Sequence, residues 1–204
     1  MSSHLVFLKD RRTGATVEAE LIGNITNEHI QAVEKDWMPL IKARVMELIG
    51  QNEPRQNWPQ SWHWNWRDKM SKVSGLLACE TCALVYNGEL QGLMQVNTAK
   101  ARCRITEQVG KHLAYVDYVE TAPWNRATMV AQPKFGGVGL NLIRAAIAIS
   151  QEQGFQGRIG LHSLPQSEAF YANVCGMTDL GVDASTESLK YFEMTPAQAA
   201  AFSS

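Results

Sequence analysis

Between Ala114 and Leu164 the chain reads as a strand ("AYVDYVET"), a loop, three glycines within four residues (Gly136, Gly137, Gly139), a long apolar helix and a buried strand ("RIGLHSL"). The helix spans about Val138 to Gln153. Leu142, Ile143, Ala146, Ile147 and Ile149 give it a broad apolar face, and Gly154 stops it. A strand, a helix with one such face and a second strand fold into a crossover that returns to the same sheet. The class is therefore an α/β mix.

The segments before this crossover are antiparallel in type. "LVFLKD" and "TVEAELI" flank the turn "RRTG", and Val17, Ala19 and Leu21 alternate along the second strand. Asn27 opens a helical pattern through Ile30, Val33, Trp37, Leu40 or Ile41, Val45 and Leu48; Pro39 predicts a kink or two abutting helices, and Gly50 a stop. Pro59 suits a first helical turn, with Trp62, Trp66, Met70 and Val73 on one face. "LLACETCALVY", "LQGLMQVNTA" and "HLAYVDYVETA" form a meander, its first hairpin marked by Asn87–Gly88. After the crossover, Pro165 starts a helix in "PQSEAFYANVCG" and "LKYFEMT" is a last strand; "PAQAAAFSS" is a short helix or a fraying tail. The expected sheet is mixed, with about six to seven strands, an antiparallel front, a parallel crossover and flanking helices.

Composition limits what such a fold can do. With 204 residues, 45% hydrophobic and 19% charged, one well-cored domain is expected. A net charge of −1 gives no overall field toward nucleic acid or an anionic membrane. The start, "MSSHLVFLKDRRTG", does not read as a signal peptide, no apolar stretch is long enough to span a bilayer, and four cysteines suggest free thiols. A cytoplasmic location follows as the expectation.

The glycine segment is the first chemical candidate. A helix amino terminus offers unpaired N–H groups and the positive end of its dipole, and glycines let a phosphate approach. Lys134 stands just upstream. No "GK[ST]" follows, so this is no Walker loop, and "GGVGLN" lacks the third glycine of the dinucleotide fingerprint. Spacing alone leaves a phosphate cradle and a plain turn both open.

"KFGGVG" (Lys134 to Gly139) resembles the R/Q-x-x-G-x-G/A pattern of the GNAT N-acetyltransferases, with Lys134 at the R/Q position and Gly137 and Gly139 at the glycines. "YVDYVETAP" resembles the family's fourth strand, and "FYANVCGM" its FYxxxGF ending. The three together cover about Tyr115 to Met177 in the family's order. The loop "APWNRATMVAQP", Ala122 to Pro133, is longer than usual there.

The resemblance implies a single GNAT-fold domain over 1–204, with acceptor-side elements in 1–75, a cofactor core in 76–195 and a tail in 196–204. It implies transfer of an acetyl group from acetyl-CoA to an amine of a small molecule or a protein, without a metal. The pyrophosphate would lie on Gly137, Val138 and Gly139, with Lys134, Phe135, Gly136, Leu140 and Asn141 beside them. The pantetheine would run along Val119 and Thr121, with a further contact at Ser163. The family often has an asparagine where this chain has Leu164. Glu120 is the candidate base, Asp117 the reserve, and Tyr171 the candidate acid. Asp117 and Glu120 are three apart, so a regular strand turns them to opposite faces. Two-chain assembly is common in folds of this sort. The alternative is a catalytically weak or inactive CoA-binding or protein-interaction module.

Two features invite other readings. "CETC" sets Cys79 and Cys82 on opposite faces of a strand, and no second C-x-x-C follows, so buried thiols fit better than zinc. "NWPQSWHWNWRDK" holds Trp58, Trp62, Trp64 and Trp66; Trp62 and Trp66 read as core, and Trp64 as an aromatic wall for the acceptor. His162 reads as a structural histidine or a relay.

Overall fold

The computed structural model describes residues 3–203. A hairpin of β1 (His4–Asp10) and β2 (Thr16–Gly23) opens the chain, with Leu8 opposite Val17. Its turn is tied by the Asp10 carboxylate, which accepts from the N–H groups of Arg12 and Thr13 at 2.8 and 3.3 Å. Helix α1 (Asn27–Ala32) follows a Thr26 cap that is reciprocated by His29.

The Pro39 break is subtler than a kink. A π turn over Val33–Trp37 joins α1 to α2 (Met38–Gly50), with Pro39 in the first turn of α2. Proline lacks an N–H and crowds the carbonyl four residues back, so the wider turn ahead of it absorbs the conflict. Ile30, Val33, Trp37, Ile41, Val45 and Leu48 form the buried stripe. The Leu40-or-Ile41 alternative resolves to Ile41, 2% exposed, against 47% for Leu40. Gly50 ends α2, but the left-handed residue after it is Asn52 (φ 55°).

The expected helix from Pro59 is corrected: Pro59 to Trp64 form turns, and α3 (Trp66–Val73) starts late, capped by the Asn65 side chain on the Asp68 N–H at 3.1 Å. Trp62 therefore shares no helix face with Trp66.

Strands β3 (Cys79–Tyr86) and β4 (Glu89–Asn97) flank Asn87–Gly88, whose φ angles of 49° and 75° suit a type I′ turn. Next come β5 (Ala114–Thr121), β6 (Phe135–Gly136), α4 (Val138–Glu152) and β7 (Ile159–Ser163). The chain closes with β8 (Thr178–Asp183), β9 (Leu189–Met194) and α5 (Pro196–Ser203). The strand order is β6-β1-β2-β3-β4-β5-β7-β9-β8. The β5–β7 pair is parallel and registers Ala114 with Ile159 and Tyr115 with Gly160. The class is thus mixed α/β, with nine strands among the described residues. The two beyond the sequence pattern are β6, two residues long against β1, and β8, an exposed edge interrupted between Asp179 and Val182.

The expected helix from Pro165 forms as one unbroken helical stretch to Val174, but not as a regular α-helix. A 3-10 turn (Pro165–Ser167) leads into a π turn (Phe170–Val174), where Cys175 N–H donates to Phe170 O at 2.9 Å. "FYANVCGM" holds four residues between Tyr171 and Gly176, one more than the family ending it resembles. A π turn is how a helix takes up one extra residue.

Contacts divide the chain into two compact units, 1–76 with 81–93 and 120–141, and 77–80 with 94–119 and 142–204. In the second, Cys103, Leu113, Tyr115 and Tyr191 pack as one apolar cluster. Among the described residues, no helix is long and apolar enough to cross a membrane.

Candidate functional site

The first unit holds Trp64, Glu120, Thr121 and the run Lys134–Asn141; the second holds Asp117, Val119, Ser163 and Tyr171. Each set is described within its own unit.

Gly137 has φ +92°, a left-handed conformation that side chains rarely adopt, and it turns the chain into α4. The first intrahelical bond runs from Asn141 N–H to Gly137 O at 3.0 Å. Helix geometry therefore leaves the N–H groups of Val138, Gly139 and Leu140 without an intrahelical acceptor. Val138 is buried, and Gly136, Gly139 and Leu140 are half-buried. The Asn141 side chain donates to Phe7 O (2.8 Å) and Gly137 O (3.1 Å), fastening the turn to β1. These donors suit a phosphate group. Lys134 is already engaged: its Nζ lies 2.6 Å from Glu89 Oε2 and packs over Trp124 and Phe135.

Glu120 is 5% exposed. Ser61 Oγ donates to its Oε1 at 2.6 Å, Trp66 Nε1 to its Oε2 at 2.6 Å, and an Arg126 nitrogen to Oε1 at 3.3 Å. Arg126 also donates to Ser61 Oγ at 2.9 Å, closing a triangle. Burial lowers the pKa of the Arg126 guanidinium, and Glu120 opposes that shift by charge and hydrogen bond. Ser61, Trp66 and Arg126 were not marked by the sequence as partners of this carboxylate. Thr121 is half-buried beside it.

Trp64 is half-buried, with the Lys69 ammonium 4.6 Å from its ring centre. Trp58 and Trp62 meet edge to face at 5.8 Å, and Arg55 lies over both. The tryptophan segment thus carries its own cations on its aromatic faces.

In the second unit, Asp117 is ion-paired with Lys100 and accepts from Gln95 Nε2 at 3.4 Å. Asp117 and Glu120 therefore engage separate partners. Val119 is half-buried, and the buried Ser163 donates its hydroxyl to Leu164 O at 2.9 Å. Tyr171 is buried against Phe170 and Phe192. Burial, then the nearby Cys175, raise the Tyr171 pKa well above its ordinary value, so the phenol stays protonated. His162 is spanned by hydrogen bonds, Nδ1 to Tyr115 Oη at 2.6 Å and Nε2 to Asp183 at 3.0 Å. The four cysteines form no disulfide, and among the described residues no cluster of three or more His, Cys, Asp or Glu could hold a metal.

Known structures share this architecture. PaiA N-acetyltransferase from Thermoplasma acidophilum, in complex with coenzyme A, superposes with a TM-score of 0.52 at 9% identity, covering 86% of this chain and 98% of that one. The fold is that of the GNAT acetyltransferases. The GNAT domain of S. lividans PAT gives 0.51 at 14% identity over 94% and 96% of the two chains. FeeM, an N-acyl amino acid synthase from uncultured soil microbes, gives 0.55 at 10% identity over 88% and 90%. No protein-family model and no curated protein matches the sequence. A GNAT fold at such low identity fixes the architecture and leaves the chemistry to the residues.

Proposed function

We propose that the protein transfers an acetyl group from acetyl-CoA to an amine of a small molecule or a protein. The observation that carries this reading is the glycine turn at Gly137 opening α4 within a GNAT fold. The N–H groups of Val138, Gly139 and Leu140 bind the pyrophosphate, Gly136 and Gly137 let it approach, and Val119 and Thr121 line the pantetheine. Phe135 and Asn141 hold the turn's shape, Ser163 adds a polar contact, and Lys134 contributes charge once it leaves Glu89. Trp64 and Asp117 face the acceptor.

An alkylammonium, with an ordinary pKa of about 10.4, must lose a proton before its nitrogen can attack the thioester carbonyl. Glu120 is the base. The Ser61 hydroxyl, donating to Glu120 at 2.6 Å, supports a relay in which Ser61 takes the amine proton and passes its own to Oε1. The nitrogen then forms the C–N bond, the C–S bond breaks, and Tyr171, held protonated by burial, protonates the departing sulfur and is itself reprotonated by the second proton that the new amide nitrogen sheds.

One observation favours a second reading. Both Glu120 oxygens already accept hydrogen bonds, which suits a structural carboxylate in a CoA-binding module without turnover. A thiol-release screen with acetyl-CoA against polyamines, aminoglycosides, amino acids and peptides separates the two. Turnover that is lost in Glu120→Gln and Tyr171→Phe, with the cofactor's melting-temperature shift retained, is the expected result. A shift without thiol release from any acceptor selects the module. Neither shift nor release at millimolar acetyl-CoA removes both readings.

A further inference from the structure

The loop between β5 and β6, Ala122 to Lys134, has no regular element beyond a 3-10 turn at Pro123–Asn125. It is nevertheless fastened at Trp124, Asn125 and Arg126. Trp124 packs its ring edge-on against the fully buried Trp37 at 6.5 Å and donates Nε1 to Gln91 Oε1 at 3.0 Å. Asn125 donates Nδ2 to the same Gln91 oxygen at 2.9 Å. Arg126, its side chain 17% exposed, reaches Glu120 and Ser61. Its backbone joins two turns: the N–H donates to Pro123 O at 3.2 Å, and the carbonyl accepts from Met129 and Val130 at 2.9 and 3.0 Å.

The other end of the same turn grips the residues before the glycines. Trp124 O accepts from Lys134 N–H at 2.8 Å, and Asn125 Oδ1 accepts from Phe135 N–H at 2.9 Å. Phe135 and Gly136 then pair with β1 as β6, and Gly137 turns into α4. A continuous chain of contacts thus runs from the buried Ser61–Glu120–Arg126 triangle through Asn125 to the glycine turn.

We propose that Arg126 and Asn125 are positioning residues for the cofactor-binding glycine turn, holding it in shape before acetyl-CoA arrives. The inference rests on the acetyl-CoA reading above. Glu120 then serves a second purpose as the anchor for Arg126. Removing the anchor leaves the turn's N–H groups unaligned, and affinity falls by the cost of ordering them on binding.

The test measures acetyl-CoA affinity by calorimetry and amide hydrogen exchange over residues 134–140 in the full chain. Wild type is compared with Asn125→Ala, Arg126→Ala and Arg126→Lys. Asn125→Ala and Arg126→Ala should weaken binding about ten-fold and speed exchange of the Lys134 and Phe135 amides, whose acceptors lie on Trp124 and Asn125. Arg126→Lys, which keeps one donor and the charge, should recover part of the loss, and in Asn125→Ala, which leaves Glu120 and Ser61 their partners, the acceptor KM should stay within about two-fold of wild type. If Arg126→Ala does not fold, Asn125→Ala and Arg126→Lys decide the matter. Wild-type-like affinity in the variants, with wild type itself binding, overturns the positioning role and leaves the cofactor reading standing. Failure of wild type to bind acetyl-CoA removes the cofactor reading and this role together.

Discussion

Among the described residues Glu120 has three donors, and each can be removed singly. Trp66→Phe keeps the ring in its buried place and deletes the N–H that reaches Oε2, leaving that oxygen without its partner. A buried charged acceptor so deprived should cost about 1–3 kcal/mol, read as a lower urea midpoint at unchanged slope. A change below about 0.5 kcal/mol would mean that the carboxylate finds water instead. Ser61→Ala should behave similarly, and it also removes the bridge to Arg126. The sequence marked Glu120 because a strand-end carboxylate is visible locally. Its donors were not visible, since Ser61 and Trp66 lie 59 and 54 residues away and no spacing rule links them. Trp66 did read as core, and it is buried; its N–H does a second job that burial patterns do not encode. Arg126 sat in a loop that sequence reading left without a role.

At the scale of elements, the Tyr191 side chain from β9 fills the space over Gly160 on β7, so that only glycine fits there. A Cβ built on Gly160 would overlap the Tyr191 hydroxyl and stand 3.1 Å from its ring carbon Cζ. The Tyr191 hydroxyl is itself buried without a hydrogen-bond partner among the described residues. Gly160→Ala should therefore destabilise by about 1–3 kcal/mol, and the double variant with Tyr191→Phe should recover part of the loss. Strictly additive costs in thermal melts of the two single variants and the double would contradict this contact. Period and turn chemistry made seven of the strands and the main helices legible, as with Asn87–Gly88 and the stripe from Ile30 to Leu48. The misses share a cause. Strand β6 is too short for any period, β8 is exposed and broken at Gly181, and Pro59 looked like a helix start while Asn65 supplied the cap. Tertiary pairing decided each of them.

For the molecule as a whole, acid stability carries a readable signature. Asp183 accepts hydrogen bonds from Ser185, Arg104 and His162, which hold its pKa well below the ordinary carboxylate value. A depressed folded-state pKa gives stability that is complete above the unfolded value, about 3.9, and fades as pH falls through the folded one. The melting temperature of wild type should thus exceed that of Asp183→Asn at pH 6, with the gap narrowing from about pH 4 downward. A gap constant to pH 2 would show that the carboxylate is not the source. The two compact units raise a different matter. The chain changes unit after Leu76, Glu80, Leu93, Val119 and Asn141, so strands β3, β4 and β5 and helix α4 each belong partly to both. No single cut yields two fragments that each contain one whole unit. Gene fusion or recombination therefore could not exchange either unit as one continuous cassette, and a change confined to one unit would have to be acquired piece by piece.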